Sequence, residues 1–342
     1  MGVEQPSPVI NSRFFKPQHE WGWQVAVDIY LAGTGAGFLV FGLLMDWLGY
    51  SPYTPRTILL WGPILVAIGA LFLVLKLGVK RRFLNTVLNP RTSWLSRGFY
   101  ILSLCIIVGV VILGISILPF LGISTSDWAS FIKVLDVIGF ISALATVIYT
   151  GILIQSVKFV SFWNTWLLPA LFTVSALSTG SITIILTTYV YDLLVFHEGY
   201  SSQMTHMLVN TQLVLIIIEA IVLALYLFSR YRAEGQAKSS VQMLLSGKMK
   251  YIFWLGVVVL GFSLPFILEI VYSGLPEHSW LLVTAGVLVL LGRFFLRLGI
   301  IYAGIKDQTP LHKLIEVQYY LKAQRKGGIP ENLIEFFKQG RV

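Results

Sequence analysis

The sequence predicts an all-α integral membrane protein with eight transmembrane helices in a single domain, arranged as two four-helix bundles. Three observations predict it. Of the 342 residues, 56% are hydrophobic and only 12% charged, about half the charged share of an ordinary soluble domain. The mean hydropathy is +0.79. The apolar residues fall in blocks of about 20, the length a helix needs to cross a hydrocarbon layer of about 30 Å while bonding every backbone group within itself.

The elements follow in order, at about residues 23–48, 57–77, 98–119, 132–155, 166–190, 204–228, 251–272 and 280–304. The segment before the first, MGVEQPSPVINSRFFKPQHEWG, is polar, contains proline and has no apolar core, so no cleavable signal is expected. Pro6 stands where a myristoylation motif requires Ser or Thr. The first span holds Gly33, Gly35 and Gly37. Gly33 and Gly37 form a G-x-x-x-G stripe suited to close helix approach. GTGAG has neither the spacing nor the preceding strand of a dinucleotide loop. The third span carries Cys105, the single cysteine, which excludes an intrachain disulfide and a cysteine-held iron–sulfur cluster. Ser178 and Thr179 lie halfway along the fifth span, either bonding their own helix carbonyls or lining a polar route. Pro265 is the mid-span proline of the seventh. Residues 305–342 form a basic tail with short surface helices.

Orientation follows from the basic residues. The net charge of +9 reflects 25 Lys and Arg against 16 Asp and Glu. It concentrates in the N-terminal segment, the 2–3, 4–5 and 6–7 loops and the tail, whereas the other four loops contain Arg56 alone. By the positive-inside bias both termini are cytoplasmic and the protein sits in the cell membrane. The same distribution argues for membrane topology over nucleic-acid binding. The tail's basic face is either simply solvated or docks a partner or anionic lipid.

Ionisable residues inside spans cost several kcal/mol unless partnered or wet. Six qualify: Asp28, Asp136, Glu219, Glu269, Arg293 and Arg297. Arg293 and Arg297, four apart, share one helix face, which must point into the bundle. Glu219 and Glu269 are its candidate partners. Such pairs either fix helix register or, taken together with Ser178, mark a proton or cofactor route. Of the five histidines, His206 alone is near a span, at its end, so membrane-held haem is not expected. No H-E-x-x-H, C-x-x-C or P-loop is present. His19 has Glu20, Trp21, Gly22 and Trp23 beside it at the start of the first helix. That set reads either as an interfacial tryptophan belt or as a pocket for a quinone head group, with an imidazole to exchange a proton and indole walls.

Three stretches resemble one family. HEWGWQVAVDIYLAGTGAG, LNPRTSWLSRGFYIL (residues 88–102) and YTGILIQSVKFVSFWNTWLLPALFTVSALSTG (residues 149–180) are similar to segments of the NrfD/polysulfide-reductase membrane-subunit family. They touch the first five spans. The resemblance implies a quinone-binding anchor, taking menaquinone or a similar quinone, without haem or iron–sulfur cluster of its own. It implies a four-cluster ferredoxin-like iron–sulfur subunit and a molybdopterin catalytic subunit as partners. Its quinone-site histidine falls on His19 and its fourth-helix tyrosine on Tyr149, with Trp21, Trp23 and Arg97 around them. Its asparagine before the histidine is not matched, because Lys16 stands there. Asp28, deeper in the first span, either relays protons between the site and the core or orients a pocket residue, and Arg91, Ser93 and Arg97 are docking residues for the iron–sulfur subunit or ordinary positive-inside anchors. The alternative class is an ion or solute transporter with its buried charges at a repeat interface.

Overall fold

The computed structural model describes residues 21–49, 61–76, 93–191, 202–233 and 236–307, with residues 59, 90, 91 and 193. Its helices are α1 (Trp23–Trp47), α2 (Trp61–Lys76), α3 (Trp94–Ile117), α4 (Ala129–Gln155), α5 (Leu167–Tyr191), α6 (Ser202–Arg232), the short α7 (Gln236–Leu245), α8 (Ile252–Gly274) and α9 (Ser279–Tyr302). Among the described residues, seven of these are long and apolar enough to cross a membrane: α1, α3, α4, α5, α6, α8 and α9. The second expected span, at about 57–77, falls on α2, an apolar helix whose 16 described residues are fewer than those of the seven. The protein is therefore a multi-pass helical membrane protein. Helix α3 begins at Trp94, a turn earlier than expected, because Ser93 caps it by accepting a hydrogen bond from the Ser96 backbone N–H at 3.4 Å.

Helix α1 is the hub. It packs on α2, α4, α5 and α9, with lighter contact to α3. The paired glycines make this possible. A Cβ on Gly35 would lie 2.5 Å from the Gly62 carbonyl oxygen of α2. One on Gly37 would lie 2.2 Å from the Ala176 carbonyl oxygen of α5, and one on Gly180 would lie 2.2 Å from the Gly37 carbonyl carbon. Gly33 and Gly37 thus face α5 while Gly35 faces α2, and the two-residue offset serves two neighbours at once. Helices α2, α3 and α4 complete one ring of contacts with α1. Helices α5, α6, α8 and α9 form another, α6 reaching the second half of α8.

Helix α8 is wound in two ways. Ile252–Ser263 is π-helical and Leu264–Gly274 is α-helical. Pro265 has no N–H for the Gly261 carbonyl four residues back, and Arg293 Nη1 of α9 donates to that carbonyl instead. Close approach of the two helices at Gly261 and Gly292, where a Cβ on Gly292 would meet the Gly261 Cα at 2.0 Å, brings the guanidinium there.

The α4–α5 loop is strapped to the end of the bundle where α1 starts. Asp307 accepts from the Ser161 backbone N–H at 2.9 Å and from its hydroxyl at 2.8 Å. Tyr226 donates to the Phe162 carbonyl at 2.9 Å, and Trp163 Nε1 to the Ile300 carbonyl at 3.0 Å.

Candidate functional site

Two buried polar groups occupy the helix bundle. The first lies near the start of α1. Asp28 is five residues into α1 and Tyr149 six residues from the end of α4, so both sit about 8–9 Å inside the same end at 1.5 Å per residue. Tyr149 is 3% exposed, yet its hydroxyl has no hydrogen-bond partner, and neither does Asp28 Oδ1. The phenol lies close enough to Asp28 to feel its charge. It rests directly on the α3 backbone: a Cβ on Gly98 would fall 1.7 Å from the Tyr149 hydroxyl oxygen and 1.9 Å from its ring. A buried hydroxyl and a buried carboxylate oxygen, both without partners, cost free energy that a bound polar ligand would return.

His19 lies outside the described residues. Trp21, two residues on, stacks edge-to-face on buried Trp163 at 6.3 Å between centroids, which fixes the approach of the polypeptide to α1. Trp23 is 49% exposed and packs edge-to-face on Phe72 of α2 at 5.9 Å, a position facing outward from the bundle. Arg97 Nε donates to the Pro90 carbonyl at 2.8 Å and Nη2 to the Arg91 carbonyl at 2.9 Å, with Cζ 4.5 Å from the Trp94 ring centroid. Its guanidinium therefore shapes the turn that leads into α3. Ser93 is that helix's cap and Arg91 is exposed.

The second group joins α1, α5, α6, α8 and α9. Arg293, Arg297, Glu219 and Glu269 are all 0% exposed. Arg293 Nη2 meets Glu219 Oε2 at 2.7 Å, an ion pair made outside hydrogen-bond alignment. Its Cζ lies 4.4 Å from the Phe262 ring centroid, a cation–π contact. Gln212 Nε2 donates to Ser178 Oγ at 2.9 Å and Gln212 Oε1 accepts from Ser181 Oγ at 2.6 Å, while Arg293 Nη2 approaches Ser178 Oγ at 3.5 Å. Arg297 Nη1 donates to Ser175 Oγ at 2.9 Å and to the Arg293 carbonyl at 3.3 Å, leaving Nε and Nη2 without partners. That Nη2 lies 3.3 Å from where a Gly33 Cβ would stand, so it points toward α1. Asp136 is buried in α4 thirteen residues before Tyr149, about 20 Å along the axis, toward the other end of the bundle.

Of the expected site residues, the structure thus brings Asp28 and Tyr149 together, and separately Glu219, Glu269, Arg293, Arg297 and Ser178. Gln212, Ser175 and Gly98 were missed because a search for ionisable groups passes over amides, aliphatic hydroxyls and glycine. Gln212, polar in the middle of an apolar helix, carried a usable signal. Among the described residues no group of three or more His, Cys, Asp or Glu side chains stands together as a metal site.

With this geometry in view, comparison with known proteins decides the family. The family model "Polysulphide reductase, NrfD" matches residues 11–307. The chain belongs to the NrfD family. It is 27% identical to the C subunit of polysulfide reductase from Wolinella succinogenes over 307 residues, covering 83% of this protein and 94% of that one. It is 27% identical to protein NrfD of Escherichia coli over 311 residues, with the same two coverages of 83% and 94%. A protein NrfD homolog of Haemophilus influenzae is 24% identical over 326 residues, 89% of this protein and 98% of that one. The NrfD match spans both polar groups, whereas the three resembling stretches stop within α5.

Proposed function

We propose that this NrfD-family protein is the quinone-binding membrane subunit of an oxidoreductase complex. It works beside a four-cluster iron–sulfur subunit and a molybdopterin subunit that holds the catalytic centre for the terminal substrate. The observation that carries the reading is the Tyr149 hydroxyl, buried without a partner beside Asp28 at the end of the bundle where α1 starts. A head group bearing carbonyl oxygens fits there: Tyr149 has a donor to offer and Asp28 an oxygen to accept a proton. A quinone supplies two-electron, two-proton chemistry when bound. Tyr149 orients it, Gly98 leaves room for the phenol, His19 exchanges a proton at the head group, and Asp28 relays protons further in. Trp21 and Trp163 form an aromatic wall that limits water. Arg91, Ser93 and Arg97 shape the turn that a neighbouring iron–sulfur subunit would dock on, with both termini cytoplasmic. The eight helices make two groups of four, α1–α4 and α5, α6, α8 and α9.

The test is His19→Ala in the assembled complex. Quinone-linked turnover falls sharply while dye-linked turnover of the catalytic subunit persists. Equal quinone turnover in the variant would remove His19 from the mechanism.

A second reading, an ion or solute transporter, draws support from the change in helical winding at Pro265 beside buried charge. Purification separates the two: a transporter comes alone and iron-free, whereas the subunit brings an iron-containing partner.

A further inference from the structure

Two outward-facing apolar stripes of the second helix group end in cations, at the end of the bundle where α1 starts. On α6, Val214, Ile218, Ile221, Leu225 and Phe228 are exposed at alternating spacings of four and three, the period of one helix face. Arg232 is exposed four residues further on and extends that face by one turn. On α8 the exposed residues begin with Tyr251, Trp254 and Leu255, and Lys248 and Lys250 are exposed just before them. Apolar side chains exposed along a spanning helix meet acyl chains, and aromatic residues at the helix ends mark the headgroup level.

The short helix α7 joins the two stripes, packing on α6 and on the first half of α8. Its Ala237, Ser240, Val241 and Leu244 are buried, which leaves Lys238 and Gln242, four apart, on the outer face. Trp254 Nε1 of α8 donates to the Leu245 carbonyl at the end of α7 at 2.9 Å. Three cations are laid over rings: Arg232 Cζ is 4.2 Å from the Phe228 centroid, Lys238 Nζ 5.3 Å from that of Tyr231 and Lys250 Nζ 4.9 Å from that of Tyr251. A ring orders a cation without neutralising it, and among the described residues none of the three meets a carboxylate. The sequence from Phe228 to Trp254 holds five Lys and Arg against one acid, Glu234. Of the five, Arg230 turns inward to the Ser161 and Asn164 carbonyls.

We infer that this face of α6 and α7 binds an anionic phospholipid, its phosphate held by Arg232 and Lys238 and its acyl chains lying along the α6 stripe, with Lys250 adding charge on the α8 side. Lys238 stacks on Tyr231, the residue before Arg232, so these two cations stand close together. A guanidinium and an ammonium supply the donors that a phosphate diester accepts. Their stems rest on the aromatic rings while the charged ends reach the headgroups. An anionic lipid is held there both by its charge and by its chains, whereas free phosphate would be held by charge alone. Lipid fits the face where an acidic protein does not, because Arg232 stands in line with the acyl-facing side chains of α6. The site is separate from the Tyr149 site and independent of the redox reading.

The test is native mass spectrometry of the full-length protein, purified with its partners and equilibrated with equimolar phosphatidylglycerol and phosphatidylcholine. Wild type is expected to retain phosphatidylglycerol in preference; equal retention of the two lipids overturns the inference. In Arg232→Gln/Lys238→Gln the preference should fall by roughly 30-fold, two cations at the contribution each makes near an anionic lipid surface. Lys133→Gln, an exposed lysine near the start of α4 at the other end of the bundle, should leave it unchanged. A preference kept in the double variant, or lost equally in Lys133→Gln, would refute the placement. So would a double variant that keeps its lipid and loses an iron-containing partner, since the face would then dock protein. Should the double variant not assemble, Lys238→Gln alone should lower the preference roughly fivefold, and no change there overturns the proposal. None of these readouts uses quinone turnover.

Discussion

Gly98→Ala tests whether the Tyr149 phenol works where it lies. The added Cβ would stand 1.7 Å from the hydroxyl oxygen, 1.9 Å from Cζ and 2.6 Å from Cε1. A carbon and an oxygen in contact keep about 3.3 Å apart, so the hydroxyl must retreat by roughly 1.6 Å or α3 must move away from α4. Misplacement of about 1 Å at a reacting group costs on the order of 100-fold, or about 2.7 kcal/mol in the barrier. The expected result is a fall of at least about 100-fold in quinol-linked turnover, with dye-linked turnover and the amount of assembled complex unchanged. Tyr149→Ala supplies the control. With the phenol gone the new methyl meets open space, so Gly98→Ala adds nothing to Tyr149→Ala. Wild-type quinol turnover in Gly98→Ala would refute the placement of the site. A further loss of the same size in the double variant would show instead that the methyl acts by separating α3 from α4.

Other consequences are read from stability and local protection. Gly180→Ala puts a Cβ 2.2 Å from the Gly37 carbonyl carbon and 2.5 Å from the Phe38 nitrogen, both backbone; it should lower the thermal midpoint in detergent strongly. Gly114→Ala, with nothing within 4 Å, should leave that midpoint unchanged or raise it, since alanine adds up to about 1 kcal/mol of helix stability. Asp307→Ala removes both contacts to Ser161, each worth about 1.5–3 kcal/mol for a charged acceptor; amide exchange should rise across the α4–α5 loop and stay unchanged in α2. Glu219→Leu leaves the buried Arg293 guanidinium without the carboxylate it pairs with at 2.7 Å and should cost roughly 3–5 kcal/mol; a wild-type thermal midpoint in that variant would refute the pairing.

The sequence was most legible where the bilayer dictates it. Among the described residues seven of the apolar blocks return as long helices, because a block of about 20 apolar residues in lipid satisfies its backbone groups within itself only as a helix. The Gly33 and Gly37 stripe was readable from its spacing, and it does face one helix. Gly35 was less readable, since its use depends on Gly62, 27 residues away on α2. The shared face of Arg293 and Arg297 followed from helical period, and so did their need of partners. Which carboxylate would pair did not follow, because α6 and α8 are placed by tertiary packing. Gly98 gave no signal at all: nothing in one sequence tells that a tyrosine 51 residues later will lie across its Cα. The docking residues show the reverse. Ser93, read as a surface contact, has a local capping role visible in its position before Trp94, and the Arg97 guanidinium is bonded to carbonyls of its own turn.

The two polar groups are not mechanically independent, and the reason lies in α1. That helix carries Asp28 of one group and Tyr30, which donates to the Leu290 carbonyl of α9 at 3.0 Å. It also carries Thr34, which donates to Thr179 of α5 at 3.0 Å. Backbone contact at Gly37 and Gly180 leaves no side chain between α1 and α5 to yield, so a shift of α1 is passed to α5 largely undamped. Arg297 Nη2, without a partner and directed at Gly33, is the charge that would register such a shift first. A Gly33→Ala substitution requires Ala176 at 3.2 Å and Arg297 at 3.3 Å to give way together. It therefore perturbs the arginine pair without touching Asp28 or Tyr149. If the groups are coupled through α1, this one methyl lowers the thermal midpoint in detergent and the quinol-linked rate in the same variant. A change confined to the midpoint would show two groups that share a helix and nothing more.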